Sequence, residues 1–369
     1  MSILHDLLDF SDVTLDFANN ESRSKVFEVL RNHKAKGPII STELEGERGF
    51  MFVFVGPNSG HWTLRSFKNG HACLDIVTVG AESNNNDWYN NRYEESKAIK
   101  ESLAKVFATE KSRALPPIIR KGPLNPYLPT VDNLIMQYDI DREIVNVDSK
   151  YQNIKILHSN QFGNMLVLNN DINLAESDLS YTKAITGNGK ENYKDKTVLI
   201  LGGGDGGILH HVLKEEPKQV IMAEIDQMVV DLAVKHLRGI CGDSMDSLIG
   251  PNYEVIIGDC VEIMNKCINK GKLFDYVIND LTAIPITTEA RGDQWDFLQL
   301  ILDLSMKVLS PTGKYFTQGN SFNELDSLTM FEGQLKKLEC PVEFTKETVC
   351  VPSYHELWVF YEIWKTNKS

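Results

Sequence analysis

The chain has 369 residues, enough for two or three domains with sizeable cores, and its 42% hydrophobic and 24% charged content is that of an ordinary globular protein. Its net charge of −13 argues against nucleic acid as the main partner, because phosphate contacts need a basic surface; it is compatible with a cationic ligand. The sequence contains no apolar run of about eighteen residues, so no membrane-spanning helix is expected, and the start Met1-Ser-Ile-Leu-His-Asp6 lacks the basic-then-apolar profile of a signal peptide. Cys73, Cys241, Cys260, Cys267, Cys340 and Cys350 show no CxxC spacing, which points to reduced thiols in a cytosolic protein and away from a zinc site.

Residues 1–115 read as an α+β domain. Ser22 is placed to cap a helix through residue 29, with Val26, Val29 and Leu30 on its apolar side. The run Gly49-Phe-Met-Phe-Val-Phe-Val55 is a strand, and 62–67 with 72–79 form a hairpin around Asn69-Gly70. The polar, Asn-rich stretch 81–91 is a loop, and 93–108 is an amphipathic helix with Ala98, Ile99, Leu103, Val106 and Phe107 at helical spacing. His5, His33, His61 and His71 are dispersed, so the region shows no catalytic constellation and reads as an assembly or regulatory module.

Five of the 13 prolines fall between Pro116 and Pro129, which marks a linker. A small antiparallel β domain follows and completes the segment 116–173, with strands over 134–138, 142–148, 152–158 and 164–168 and a turn at Asn169-Asn-Asp171. From 174 to 369, helices and strands alternate: helix 180–186, strand 197–202, then strands over 219–226, 253–259, 274–280 and 313–318, each followed by a helix. A hairpin of 342–351 and 356–364 ends the pattern, which is that of an open, doubly wound α/β sheet. Ligands of such sheets bind outside the carboxyl ends of the strands.

The first of those strands runs into Gly202-Gly-Gly-Asp-Gly-Gly207, the strand–turn–helix context in which Gly202, Gly204 and Gly207 form a nucleotide-binding turn. Asp205 at its tip would repel a pyrophosphate, so the turn suits a nucleoside without phosphates, one able to carry positive charge. The next three strands also end in acid: Glu224 and Asp226, then Asp259, then Asp280. Each singly is explained by capping or turn formation; together they predict one crevice. Glu224 lies about 20 residues past the turn, where a carboxylate accepts both ribose hydroxyls, and Asp259, with Cys260 after it, lies where an adenine amino group needs an acceptor. Asp205 and Asp280 beside the sugar suit a cationic substrate or an amine that must lose a proton, and crowded carboxylates raise one another's pKa toward the range of a general base.

Tyr151-Gln152, Gly202-Gly-Gly-Asp-Gly-Gly207, Glu224-Ile-Asp226, Asp259 and Asp280 resemble the aminopropyltransferase (polyamine synthase) family, over a stretch from about Met136 to the end. Leu281-Thr-Ala-Ile-Pro285, Ala175-Glu-Ser-Asp-Leu-Ser-Tyr181 and Val351-Pro-Ser-Tyr-His-Glu-Leu-Trp358 look like its spermine-forming animal members. The resemblance implies a Rossmann-like, methyltransferase-like catalytic domain and aminopropyl transfer from decarboxylated S-adenosylmethionine to spermidine, giving spermine and methylthioadenosine. It implies that Gln152, Gly202, Gly204, Glu224, Asp226, Asp259 and Cys260 hold the nucleoside. Tyr181, Asp205, Tyr354 and Glu356 would hold spermidine, and Asp280, with Asp205, would take the proton from the attacking amine. It also implies a first domain that resembles adenosylmethionine decarboxylase and mediates homodimerisation. No cofactor and no metal are implied, because the donor is a sulfonium that departs as a neutral thioether; the donor is a co-substrate. Putrescine as acceptor (spermidine formation), an S-adenosylmethionine-dependent methyltransferase, and a catalytically silent polyamine or nucleoside sensor are the alternatives.

Overall fold

The computed structural model describes residues 3–44, 49–79, 86–120, 122, 124–130 and 134–366, residues 86–90 by their backbone alone. The chain forms two compact units, Met1–Pro126 and Tyr127–Ser369. Among the described residues no helix is long and apolar enough to cross a membrane.

Among its described residues the first unit is one antiparallel sheet with two helices. Its strands lie in the order Lys36–Leu44, Gly49–Val55, His61–Phe67, Ala72–Val79, Ile3–Phe10, Ser112–Ala114. The hairpin at Asn69-Gly70 pairs as expected. Three expectations are corrected. The first helix is Asn20–Asn32, and its cap is Asn19, whose side chain accepts from the backbone N–H of Glu21 and Ser22; Ser22 lies inside the helix. The second helix begins at Asn86, inside the stretch expected to be a loop to 91, where Asn-rich sequence gives no periodicity to announce it; the remainder of that loop, 81–85, lies outside the described residues. Within the proline-rich stretch, Ile118–Arg120 pairs with the first strand instead of serving as linker. The first strand itself, Ile3–Phe10, escapes the sequence reading because Asp6 sits on its core face among Leu4, Leu8 and Phe10. That buried carboxylate is held by Arg92 Nε at 2.9 Å and Ser96 Oγ at 2.6 Å, as a buried charge must be.

The second unit contains the small sheet Ile140–Asp148, Asn153–Ser159, Gly163–Leu168, Asp171–Ala175, paired antiparallel in sequence order. Asp171–Ala175 is a strand where the sequence suggested only a turn. Ile135–Gln137, expected to belong to this sheet, pairs instead with Tyr127–Pro129. The main sheet has seven strands in the order Tyr253–Ile257, Gln219–Glu224, Thr197–Gly202, Phe274–Asp280, Leu309–Ser321, Glu356–Lys365, Val342–Val351. The first five run parallel and the last two close it as an antiparallel hairpin. Strand Thr197–Gly202 is buried on both faces: Val198 and Ile200 enter one core, Leu199 and Leu201 the other. This explains its uninterrupted apolar run. Because the strand order reverses at this strand, a crevice opens at its carboxyl end.

Candidate active site

The glycine turn shapes the floor of that crevice. Gly202 and Gly203 have φ of 78° and 80°, a region that favours glycine. A Cβ on Gly202 would lie 2.5 Å from the carbonyl oxygen of Asp280, and one on Gly204 2.8 Å from Glu224 Oε2. The missing side chains therefore let the ends of two strands and the Glu224 carboxylate close on the turn. Glu224 Oε2 accepts from Gly204 N at 3.0 Å, and its Oε1 accepts from Asp226 N at 2.8 Å, so the carboxylate is aimed by backbone on both sides. Asp205 Oδ1 accepts from Gly207 N at 2.7 Å.

A cavity of about 410 Å³ rises from this floor, inside the range of small-molecule sites. Gln152, Gly202, Gly204, Asp205, Glu224, Asp280, Tyr181, Tyr354 and Glu356 all line it, so nine of the predicted site residues share one space. Its wall bears six carboxylates, those of Asp171, Asp205, Glu224, Asp280, Glu324 and Glu356; among the described residues no Lys, Arg or His lines it. Aromatic rings close one side. Tyr181, on helix Leu179–Ile185, donates its hydroxyl to Asp280 Oδ1. Its ring meets Tyr354 edge-on at 6.2 Å, and Tyr354 meets Trp358 in the same way at 5.1 Å. The Tyr354 hydroxyl donates to Asn173 O at 2.5 Å, tying the C-terminal hairpin to the small sheet.

Burial pushes the Asp280 carboxyl well above the usual carboxylate range; the charge of Asp205 pushes it further, and the Tyr181 hydroxyl only partly opposes this. Asp205 is raised by burial against its bond from Gly207 N–H, and Glu224 by burial against its two backbone donors. The Tyr181 and Tyr354 phenols are held far above their ordinary value, by burial first and then by nearby carboxylates, and stay neutral. A cation entering this space meets preformed negative charge at low dielectric, and Asp280 is the carboxylate most ready to keep a proton.

Three predicted residues stand apart. Asp226 does not line the cavity but works behind it: its Oδ2 accepts from Gln152 Nε2 at 3.2 Å and Ser149 Oγ at 2.6 Å, while Oδ1 caps helix Gln227–His236 through Met228 N. Asp259 is exposed and caps helix Cys260–Asn269, accepting from Val261 N at 2.8 Å. It is not among the residues lining the cavity with Asp205 and Asp280, and capping is the ordinary work of Asp at a strand–helix junction. Cys260 is 7% exposed and packs into a core with Leu199 and Leu201, so it too stands outside the cavity wall. Burial, then Asp259, pushes its thiol up to about 11.

Sequence reading missed Asp171, Asn173, Gln318, Glu324 and Trp358, all on the wall. Asp171 was absorbed into an Asn-Asn-Asp turn, and Glu324 lies in the short connection between a strand and helix Leu325–Leu335, where an acid reads as a helix start.

Residues 178–369, more than half of the chain, match the spermine/spermidine synthase domain, and 127–176 match the spermidine synthase tetramerisation domain. A polyamine aminopropyltransferase of a Thermoanaerobacter species is 31% identical over 203 residues, covering 53% of this chain and 70% of that protein. One from a Hydrogenobaculum species is 29% identical over 235 residues, covering 61% and 77%. Among solved structures, a spermidine synthase in complex with the transition-state analogue AdoDATO aligns with a TM-score of 0.54 at 22% identity, over 68% of this chain and 82% of that one. Spermidine synthase from Thermotoga maritima aligns with a TM-score of 0.51 at 20% identity, over 68% and 81%. These two structures speak for the Rossmann-like α/β fold, and the sequence matches carry the assignment: the chain is a member of the spermine/spermidine synthase family of polyamine aminopropyltransferases.

Proposed function

We propose that this aminopropyltransferase moves an aminopropyl group from decarboxylated S-adenosylmethionine to spermidine, yielding spermine and methylthioadenosine. The observation that supports it above all is the wall of six carboxylates without a cationic side chain among its described residues. Glu224, aimed by Gly204 and Asp226, takes the ribose hydroxyls of the donor, and Gln152, held by Asp226, flanks the same nucleoside. Asp205 and Asp280 face the reacting nitrogen. Asp280 takes a proton from the acceptor's ammonium; the freed lone pair attacks the methylene carbon next to sulfur, and the carbon–sulfur electron pair leaves on the thioether. The leaving group is neutral, so neither a general acid nor a metal enters the step, and positioning with proton removal supplies the catalysis.

The acceptor choice rests on charge count. After Asp205 and Asp280 engage the attacking nitrogen, Asp171, Glu324 and Glu356 remain on the segments around the Tyr354 wall. Spermidine offers them two further ammonium groups, putrescine only one. Tyr181, Tyr354 and Trp358 supply ring faces and edges for the intervening methylenes and cations. Intact S-adenosylmethionine, the donor of a methyltransferase, would carry its carboxylate into this acidic space and be repelled. The first unit, whose antiparallel sheet and helices suit the decarboxylase-like layout expected of it, serves assembly as a homodimer in the cytosol. The test is mass spectrometry of products from the decarboxylated donor with putrescine and spermidine in one tube. Spermine in excess is expected; predominant spermidine would reassign the acceptor, and methylated product alone would refute the reading.

A further inference from the structure

One buried carboxylate next to the cavity takes no part in the chemistry above. Asp178 is 1% exposed, absent from the cavity wall, and accepts four hydrogen bonds, all from neutral donors. Oδ2 accepts from Ala175 N at 2.8 Å and from Ser353 Oγ at 2.5 Å; Oδ1 accepts from Ser353 N at 3.0 Å and from Ser177 Oγ at 3.1 Å. Capping does not account for it. Asp178 is the residue before helix Leu179–Ile185, yet its side chain accepts no hydrogen bond from that helix. It is turned instead toward a segment 175 residues away in the chain.

The partners show what the carboxylate joins. Ala175 ends the strand Asp171–Ala175, which contributes Asp171 and Asn173 to the wall. The helix that starts after Asp178 carries Tyr181, the hydroxyl donor to Asp280. Ser353 is wholly buried in the turn Pro352–Tyr354, which presents Tyr354 and leads into Glu356. The carbonyl of the same Ser353 accepts from the Tyr138 hydroxyl at 2.8 Å, and Tyr138 also lines the cavity. Every segment touching the carboxylate therefore brings acceptor-side residues, and none brings the glycine turn or Glu224. Its charge is felt there too: after burial, Asp178 is the largest influence holding both the Tyr354 and Tyr138 phenols in their neutral form.

We infer that Asp178 is the positioning residue of the acceptor side: by clasping Ser353 to Ala175 it fixes Tyr181 against Tyr354 and Glu356, and so sets polyamine affinity and the choice between acceptors without touching either. This rests on the aminopropyl-transfer reading. A carboxylate rather than an amide is required, because Ser353 N–H, Ser353 O–H and Ala175 N–H all donate to it; in an asparagine one of the two oxygens becomes an NH₂ that faces a donor. Hydrogen bonds to charged groups are worth about twice neutral ones, so loosening two of them corresponds to roughly tenfold or more in a binding constant.

The experiment measures acceptor KM, kcat and donor Kd for the full-length wild type, Asp178→Asn and Ser353→Ala, each with putrescine and with spermidine. The expected result is an acceptor KM about tenfold higher in Asp178→Asn and several-fold higher in Ser353→Ala, with a narrowed ratio between acceptors. Donor Kd and kcat at saturating acceptor should stay within about threefold. The double variant should be little worse than Asp178→Asn, because both changes open one clasp. Unchanged acceptor KM in Ser353→Ala overturns the inference even if Asp178→Asn fails to fold, and so does a parallel loss of donor binding, which marks a general structural role. A wild type that forms no aminopropylated product refutes the functional reading instead; an active wild type with indifferent variants refutes only the clasp.

Discussion

Replacing Asp280 by Asn separates chemistry from folding, because the two are expected to move in opposite directions. The change is nearly isosteric and leaves an oxygen for the Tyr181 hydroxyl, so the wall keeps its shape. It removes the carboxylate proposed to take the acceptor's proton. A positioned general base contributes about 10²–10⁴-fold, so kcat should fall by that factor, equivalent to roughly 3–5.5 kcal/mol of transition-state stabilisation. Donor affinity should hold, since the proposed nucleoside site is Glu224 and the glycine turn, which the substitution leaves in place. Stability should rise. The folded-state pKa of Asp280 is raised, so ionising it is harder in the folded chain than in the unfolded one. That penalty is absent below the ordinary carboxylate range, grows as pH climbs toward the raised value, and is fully present above it. Asparagine, like the protonated acid, never incurs it. Each kcal/mol of relief lifts Tm by about 2–4 °C in a unit of this size. Thermal melts of wild type and variant at pH 4 and pH 8, beside steady-state kinetics, read both effects: curves close together at pH 4 and a higher Tm for the variant at pH 8. Unchanged kcat would refute Asp280 as the base, and a variant that melts earlier at pH 8 would refute the account of its environment.

Further expectations follow from the same geometry. Asp205→Asn removes the charge that raises Asp280, so the acid limb of the kcat profile should move to lower pH; a limb that stays in place or moves up contradicts that coupling. Glu324→Gln should raise the KM for spermidine several-fold while leaving donor affinity intact, and equal KM values would remove Glu324 from the acceptor side. Asp226→Ala should weaken donor binding by releasing Gln152 and also cost about 1 kcal/mol through the lost cap of its helix; donor affinity equal to wild type would refute the support role. A chain lacking residues 1–126 should sediment as a smaller assembly than the full protein, and an unchanged number of subunits would deny the first unit its proposed part in assembly.

What the sequence made legible divides along a physical line. Strand Thr197–Gly202 could be read because a strand buried on both faces must be apolar throughout, and the glycines that follow are demanded by positive φ and by the approach of Glu224 and Asp280. Such requirements are local, and local requirements leave a local pattern. Ile3–Phe10 could not be read, because the residue that spoils its alternation, Asp6, is made tolerable by Arg92 and Ser96, more than eighty positions away. The site obeys the same division. Glu224 and Asp280 end strands and Asp205 lies in the turn just after one, where topology brings residues to one edge of the sheet. Asp259 stands at a strand end as well, yet its carboxylate turns back onto Val261 N to cap a helix. Position at a strand end is thus enough to nominate an acid but not to aim it; aiming depends on which donor is nearest. Asp178 shows the converse: it sits where a helix cap belongs, and the donors that capture it come from Ala175 and from Ser353, at the far end of the unit. The proposed acceptor side draws on three stretches far apart in the chain: residues 171–185, which hold a strand and the helix carrying Tyr181, the connection at Glu324, and the turn at Ser353. On the proposed reading, acceptor choice depends on how those pieces are clasped, and substitutions that change it are expected also at residues such as Asp178 and Ser353 that do not line the cavity.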